Sequence, residues 1–264
     1  MKNAPIGVFD SGIGGLTVVK EIRRFLPNED IIYLGDTARL PYGTKSFDSI
    51  IQFSRQNAKF LLGRGVKCIV IACYSSTSVA LEILKKEYDL PIIGVIKPGV
   101  KKALELTKNK KIGVIGTSLT IYSGAYEKTF RELGAQVEVI GRPCPLFVPL
   151  VEEGFIDHPA TEIIAREYLE PLKKDEIDTL LLGCTHFPLL LNVIKKILGE
   201  INYVDASQEL SLELSRTLLK NDLLKPKGEG NVTVYLTDFS INFKETAERF
   251  LGEPLNNYFR AALT

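Results

Sequence analysis

Short runs of apolar residues alternate along the chain with stretches whose apolar positions recur every three to four residues. The apolar runs predict buried strands at residues 6–9, 30–34, 67–72, 91–95, 111–115, 136–140, 179–182 and 202–204. Stretches such as 16–25, 47–64 and 78–87 have the spacing of amphipathic helices. Alternation of strands and helices predicts parallel sheets with helices packed on their faces.

The C-terminal part of the chain adds one more strand and one more helix to this pattern. The segment LKPKGEGN at residues 224–231 indicates an exposed turn or linker. A strand at 232–237 and a helix at 242–251 are predicted to follow it.

The strand pattern also contains an internal repeat. The segments GVFDSGIGGLT and GVIGTSLT each consist of an apolar strand that ends in a hydroxyl-bearing residue, Ser11 or Thr117. Later in each half a second apolar strand ends in a cysteine, Cys73 in VIACYSSTS and Cys184 in LLLGCTHFP. Ligands of parallel sheets lie beyond the carboxyl ends of the strands. Two such half-sites facing each other predict one cleft with a cysteine on each wall.

Composition excludes several functional classes. The 264 residues carry 33 basic and 32 acidic side chains, a net charge of +1, so the chain lacks the basic field that nucleic-acid binding needs. The N-terminus lacks the apolar run of a signal peptide, and no stretch approaches the roughly 18 apolar residues of a membrane helix. We therefore expect a cytoplasmic protein that acts on a small molecule and binds neither nucleic acid nor a membrane.

The cysteines at positions 68, 73, 144 and 184 are too few and too scattered for a disulfide framework. Cys68 lies inside a strand and Cys144 between two prolines, positions typical of small buried residues. Cys73 and Cys184 follow strands, at turns whose backbone N–H groups stabilise a thiolate. Their matching positions in the repeat favour a reactive pair over two packed side chains.

Two loops have both a structural and a functional interpretation. DSGIGG at residues 10–15 lacks the spacing and the lysine of phosphate-binding loops. It is either a capped turn or a site where Asp10 orients a substrate ammonium or a catalytic group and Ser11 binds a carboxylate. YLGDTARLPYG is typical of an ordinary loop; its functional alternative is that Tyr42 and Gly43 line the cleft.

Histidine supplies a further candidate. His186 lies two residues after Cys184, which favours an acid–base partner of a thiol over a packed histidine. His158 is expected at the surface, and the pattern around Glu152 is that of a solvated helix end. Without a C-x-x-C pair, a Walker loop or a lysine motif for a Schiff base, we predict no metal, nucleotide or pyridoxal cofactor.

Together these segments resemble the glutamate racemases, in the cofactor-independent aspartate/glutamate racemase group. The resemblance runs essentially end to end and rests on FDSGIGG, YLGDTARLPYG, the Ala-Cys pair at 72–73, IGVIGT at 112–117, CPLFVPLVEEG at 144–154 and LLLGCTHFPLL at 180–190. It implies an α/β fold of two pseudo-symmetric flavodoxin-like domains with mainly parallel sheets, and an active site in the cleft between them.

The resemblance also implies an activity and a set of roles. The chain would interconvert L- and D-glutamate without a cofactor, supply D-glutamate for peptidoglycan synthesis, and form a homodimer. Cys73 and Cys184 would be the two bases, assisted by Asp10 and His186, with Glu152 behind His186. The substrate-binding positions would be Asp10, Ser11, Tyr42, Gly43, Tyr74, Ser75, Thr117, Thr185 and His186.

The same resemblance predicts the domain boundaries. Residues 1–97 and 207–264 would form a first, discontinuous domain, because the last strand and helix return to pack with the first half. Residues 98–206 would form the second domain.

The sequence departs from the family directly after Cys73. The family usually reads Ala-Cys-Asn-Thr, whereas this chain has Tyr74 and Ser75, and Lys97 stands where the family commonly has glutamate. A tyrosine ring in the cleft would shrink the pocket or change which side chain fits, and a ring turned away would lose a substrate contact. The alternatives are therefore a racemase of aspartate or another amino acid, or a catalytically weak amino-acid-binding protein.

Overall fold

The structure is a computed structural model and describes residues 1–263. The strands are β1 (Ile6–Asp10), β2 (Ile31–Gly35), β3 (Cys68–Ile71), β4 (Ile92–Gly94), β5 (Lys111–Gly116), β6 (Glu138–Pro143), β7 (Thr179–Gly183), β8 (Asn202–Val204), β9 (Val232–Leu236) and β10 (Tyr258–Arg260). The helices are α1 (Leu16–Phe25), α2 (Phe47–Leu62), α3 (Tyr74–Glu87), α4 (Ile96–Leu106), α5 (Ser118–Tyr122), α6 (Ala125–Glu132), α7 (Phe147–Glu152), α8 (Pro159–Lys174), α9 (Leu191–Leu198), α10 (Ser207–Lys220) and α11 (Phe243–Leu251).

Two parallel sheets organise the chain. The six-stranded sheet has the order β10-β9-β2-β1-β3-β4, and the four-stranded sheet has the order β6-β5-β7-β8. The strand pairs described in both sheets are parallel. The predicted α/β class with mainly parallel sheets is confirmed. Because the strands within each sheet run the same way, their carboxyl ends gather at one edge, where a ligand site is expected.

Most predicted strands lie within a few residues of the observed ones, and the differences have physical reasons. Strand β10 was not predicted, because it is three residues long and all three are exposed. Helix α3 begins at Tyr74 rather than at residue 78, because its first turn buries Ser75, Ser76 and Thr77. Buried hydroxyl-bearing residues do not show the apolar spacing that marks a helix.

The core is continuous between the two sheets. One cluster of buried apolar side chains includes Ile6 and Val70, in strands of the first sheet, and Ile112 and Leu180, in strands of the second. The first sheet takes its strands from both ends of the chain and the second from the middle. This arrangement supports the proposed division into residues 1–97 plus 207–264 and residues 98–206. No helix within residues 1–263 has the length and apolar character needed to cross a membrane.

A buried ion pair ties distant segments of the first sheet together. Lys67, directly before β3, pairs with Glu29, two residues before β2, and both side chains are almost completely buried. Lys67 Nζ also donates to the Lys2 carbonyl at 2.8 Å, and Glu29 accepts from the backbone N–H of Lys225 at 2.8 Å. The pair therefore anchors the N-terminus and the segment before β9 to the same point.

Replacing Lys67 with methionine should destabilise the fold strongly, because it leaves the Glu29 carboxylate buried without its cation. We expect a loss of about 3–5 kcal/mol in the free energy of unfolding, measured by urea denaturation. The double variant Lys67→Met/Glu29→Gln should recover much of that loss. The control is Lys128→Met, which breaks an exposed pair with Glu132 and should cost at most about 1 kcal/mol. Equal losses in Lys67→Met and the control would contradict this account.

Candidate active site

The carboxyl ends of four central strands open into one cleft. Strand β1 ends at Asp10 and β5 is followed by Thr117, while β3 and β7 lead into Cys73 and Cys184. The cleft is nearly closed, with a cavity volume of about 20 Å³, which is room for about one water molecule. It is lined by Asp10, Ser11, Leu40, Pro41, Tyr42, Gly43, Cys73, Tyr74, Ser75, Thr117, Val148, Gly183, Cys184, Thr185 and His186.

The structure thus brings together the cleft residues that the sequence singled out, and Glu152 lies where the resemblance placed it. Glu152 does not line the cleft but lies behind His186 and contacts its ring. The lining also contains Leu40, Pro41, Val148 and Gly183, which were not singled out. Val148 lies inside the quoted segment CPLFVPLVEEG, but an apolar residue in an apolar helix gives no separate signal of a site.

Cys73 caps the N-terminus of α3. The backbone N–H of Ser76 donates to its Sγ at 3.4 Å, as expected for a cysteine at a strand-to-helix turn. Burial and the nearby Asp10 carboxyl nevertheless raise the pKa of Cys73 to about 12. The N–H contact alone does not yield a thiolate here, and Cys73 is a thiol in the substrate-free cleft.

Asp10 is fully buried beneath Cys73 and is held by its own loop. Its Oδ2 accepts from the backbone N–H groups of Gly12 at 3.2 Å and Gly15 at 3.0 Å. The hydroxyl of Tyr33 fixes the loop from below by donating to the Gly12 carbonyl at 2.6 Å. Burial raises the pKa of Asp10, opposed by the positive His186 and the loop N–H groups. Asp10 Oδ1 has no hydrogen-bond partner within the described chain, so it is a free acceptor at the site.

His186 joins Cys184 to Glu152. Its Nε2 lies 2.5 Å from Glu152 Oε1, and its Nδ1 lies 3.8 Å from Cys184 Sγ. Burial acts to lower the pKa of His186, but the contacts with Cys184 and Glu152 outweigh it and raise the pKa to about 10. At neutral pH the ring is therefore an imidazolium that lies between the Glu152 carboxyl and Cys184 Sγ.

Two glycines allow the two halves to approach each other at the cleft. A Cβ atom on Gly14 would lie 2.7 Å from His186 Nδ1, and one on Gly43 would lie 2.2 Å from Thr117 Cβ. Both distances are too short for any side chain. The loops after β1 and β2 therefore rest directly on residues that follow β5 and β7.

A triangle of buried hydroxyl groups bridges the halves beside Cys73. Ser75 Oγ lies 2.9 Å from Thr117 Oγ1 and 3.2 Å from Thr120 Oγ1, and the two threonine oxygens are 3.1 Å apart. Thr120 was not predicted from the sequence. It lies one helical turn after Thr117, and only the fold brings it to Ser75.

Tyr42 is held by a buried carboxylate that sequence reasoning also missed. Its hydroxyl donates to Asp36, and it accepts from Asn57 Nδ2 at 3.0 Å. The Asp36 carboxylate also accepts hydrogen bonds from Arg39 Nε at 2.6 Å and from the Thr237 hydroxyl at 3.0 Å. Asp36 lies within the quoted segment YLGDTARLPYG together with Arg39 and Tyr42, but its third partner, Thr237, lies 201 residues further along the chain.

Comparison with known proteins assigns the chain that forms this cleft to a family. A model of the Asp/Glu/Hydantoin racemase family matches residues 6–210. The chain belongs to this family. It is an amino-acid racemase, as the resemblance of its motifs implied, and that resemblance is confirmed.

Individual relatives cover nearly the whole chain. The glutamate racemase of Geobacter metallireducens is 45% identical over 98% of this chain and 96% of its own length. That of Aquifex pyrophilus is 49% identical over 94% of both chains. The crystal structure of the Francisella tularensis glutamate racemase in complex with D-glutamate has a TM-score of 0.94 at 40% identity, covering 99% of this chain and 98% of that one.

The fold is shared more widely than the sequence. The aspartate racemase of Picrophilus torridus has a TM-score of 0.57 at 19% identity, covering 84% of this chain and 100% of that one. Identity this low shows only the shared fold. The predicted fold of two α/β domains is confirmed by the racemase structures.

Tyr74, the residue that departs from the family pattern, lies in the wall of the racemase cleft beside Cys184. It is only 5% exposed. Burial and the nearby Asp205 and Tyr126 raise its pKa well above the usual value, so the phenol stays neutral. Within residues 1–263 no cluster of three or more His, Cys, Asp or Glu side chains is arranged to hold a metal ion.

Replacing Glu152 with glutamine should lower the pKa of His186, because the anionic partner of the imidazolium is removed. In the unmodified racemase the ring should stay protonated until the pH approaches about 10. The stabilisation linked to this proton should be complete below the unfolded value of about pH 6.5 and lost as the pH rises through about 10. NMR titration of the imidazole resonances measures the His186 pKa in the unmodified protein and in Glu152→Gln.

The matched control is Glu153→Gln, since Glu153 is exposed. It should leave the His186 titration unchanged. An unshifted His186 midpoint in Glu152→Gln would show that Glu152 does not set its charge.

Proposed function

We propose that this racemase interconverts L- and D-glutamate by a two-base mechanism in which Cys73 and Cys184 act on opposite faces of the substrate. The observation that carries the proposal is the position of the two thiols: each follows a strand of a different sheet, and both line one small cleft. The choice of glutamate is supported by relatives named as glutamate racemases over nearly the full chain and by the D-glutamate complex of a close structural neighbour.

Inversion at Cα requires one group that removes the proton and another that returns a proton from the other face. Two fixed groups avoid the reorientation that a single base would need. Cys73 is a thiol in the substrate-free cleft, while Cys184 adjoins the His186 imidazolium. We propose that the resting enzyme holds one thiol and one thiolate, and that the two cysteines swap roles with the direction of the reaction.

The carbanion formed at Cα must be stabilised without a pyridine ring to delocalise its charge. Hydroxyl groups of Ser11, Ser75, Thr117 and Thr185 line the cleft, and we propose that they bind the substrate carboxylates together with backbone N–H groups. Fixed donors in a cleft closed to water stabilise developing negative charge better than water does.

The substrate ammonium needs an acceptor near the reacting carbon. Asp10 supplies one, since its Oδ1 has no partner within the described residues. We propose that Asp10 binds the ammonium and supports Cys73, while His186, held by Glu152, supports Cys184. Tyr42 and Gly43, in the loop after β2, also line the cleft, and we propose that they contact the remainder of the amino acid.

We further propose that the enzyme is a cytoplasmic homodimer that supplies D-glutamate for peptidoglycan synthesis. Tyr74 is the observation behind two alternatives, a racemase of aspartate or another amino acid and an amino-acid-binding protein with weak turnover. Circular dichroism of each amino acid incubated with the enzyme separates them. Inversion of glutamate alone supports the proposal, and faster inversion of another amino acid contradicts it.

Replacing either cysteine with alanine should strongly reduce racemisation but leave exchange of the Cα proton of one enantiomer. A positioned proton-transfer group typically contributes about 10²–10⁴-fold, and racemisation should fall by at least that factor. In deuterated water, Cys184→Ala should exchange the Cα proton of only one enantiomer of glutamate, and Cys73→Ala only that of the other. Mass spectrometry of the separated enantiomers measures this.

The control is Cys68→Ala, because Cys68 is buried in β3 away from the cleft, and this variant should racemise normally. Two-way racemisation at the normal rate by both active-site variants would rule out the two-base assignment.

A further inference from the structure

Phe250, on the C-terminal helix α11, packs directly against the ring of His186. The two ring centroids lie 5.2 Å apart and the ring planes are inclined by 77°, an arrangement that aromatic pairs favour. Phe250 is 2% exposed and His186 is 1% exposed. The contact therefore covers one side of the imidazole ring with an apolar group, and the mechanism above gives Phe250 no part.

Helix α11 is held on the first half of the molecule by its own buried face. Ala247, Phe250 and Leu251 belong to this face. They share one core cluster with Leu16 and Val19 of α1, the helix against which α11 packs. Phe250 is thus anchored in the first half and reaches a histidine that belongs to the second.

The same helix also approaches the segment that carries Glu152, the partner of His186. A Cβ atom on Gly154, two residues after Glu152, would lie 3.8 Å from Arg249 Nη1. Because Arg249 directly precedes Phe250, adjacent residues of α11 lie against the histidine and against the turn that follows its carboxylate.

The His186 ring has further neighbours on its edges. Its Nε2 contacts Glu152 and its Nδ1 faces Cys184, and a Cβ atom on Gly14 would lie 2.7 Å from Nδ1. Phe250 adds an apolar contact to these. A smaller side chain at position 250 would leave free space beside the ring and would let the ring tilt away from Cys184.

We propose that Phe250 is a positioning residue for the Cys184 half of the reaction: it holds the His186 ring in the orientation in which Nδ1 faces Cys184 Sγ. This inference rests on the two-base mechanism proposed above. When Cys184 acts as the base, the proton moves from Cα to its Sγ and the electron pair stays on the carbon, while Phe250 exchanges no proton.

The role is specific to one of the two cysteines. Cys73 belongs to a separate buried cluster with Tyr42, Ile50 and Leu119, whereas Phe250 lies in the cluster that contains Cys184. The loss of the Phe250 ring should therefore affect proton transfer at Cys184 and spare proton transfer at Cys73.

The test places Phe250→Leu in each single-cysteine variant, so that each cysteine is measured alone in deuterated water. In Cys73→Ala, where Cys184 remains, the rate of Cα proton exchange at saturating glutamate should fall about 10-fold, because a displaced proton-transfer partner loses part of its contribution. In Cys184→Ala, where Cys73 remains, the rate should change less than about twofold. A general loss of structure would lower both rates alike.

The matched control is Phe243→Leu, which replaces an aromatic residue on the same helix. Phe243 packs against Phe239 and Tyr258 rather than against His186, so both exchange rates should stay unchanged. If Phe250→Leu fails to fold, as judged by its thermal midpoint, Phe250→Met keeps more of the side-chain volume and should give the same difference between the two cysteines.

An unchanged exchange rate in the Cys73→Ala background, or an equal fall in both backgrounds, would overturn the inference. Failure of Cys73→Ala and Cys184→Ala alone to exchange one enantiomer each would instead contradict the proposed mechanism on which the inference rests.

Discussion

The contact between the carboxyl ends of the two sheets is the constraint on which the site depends. At Gly14 and Gly43 the loops of the first half lie so close to His186 and Thr117 that no side chain fits between them. That approach leaves the cleft nearly closed, with a cavity volume of about 20 Å³. It also brings Cys73 and Cys184, which lie more than a hundred residues apart in sequence, onto the walls of one space.

The two thiols share a cleft but not an environment. Cys73 has a buried carboxyl beneath it, and burial holds it as a thiol. Cys184 has a cationic histidine beside it, anchored by Glu152. The two thiols therefore differ in the charged groups that surround them. The repeat in the chain thus supplies two similar half-sites whose local charges differ, which is compatible with the proposed two-base inversion.

The sequence predicts the strands and the cysteine pair well, because both depend on local patterns. Apolar runs mark the strands, and the repeat marks where Cys73 and Cys184 follow them. Features made by contacts between distant residues are not visible in this way. Only the fold brings Thr120 to Ser75 and Thr237 to Asp36, and β10 is too short and too exposed to show a pattern. The raised pKa of Cys73 was missed for the same reason, since the depth of burial depends on the whole fold.

The central claim is that two separate bases act on opposite faces of the substrate. Its most direct measurement is the initial rate of deuterium incorporation when pure L-glutamate is incubated with the unmodified enzyme in deuterated water. The account predicts that the D-glutamate formed carries solvent deuterium at Cα while the remaining L-glutamate keeps its proton. D-glutamate that retains the original proton would show that a single base serves both faces, and would contradict the account.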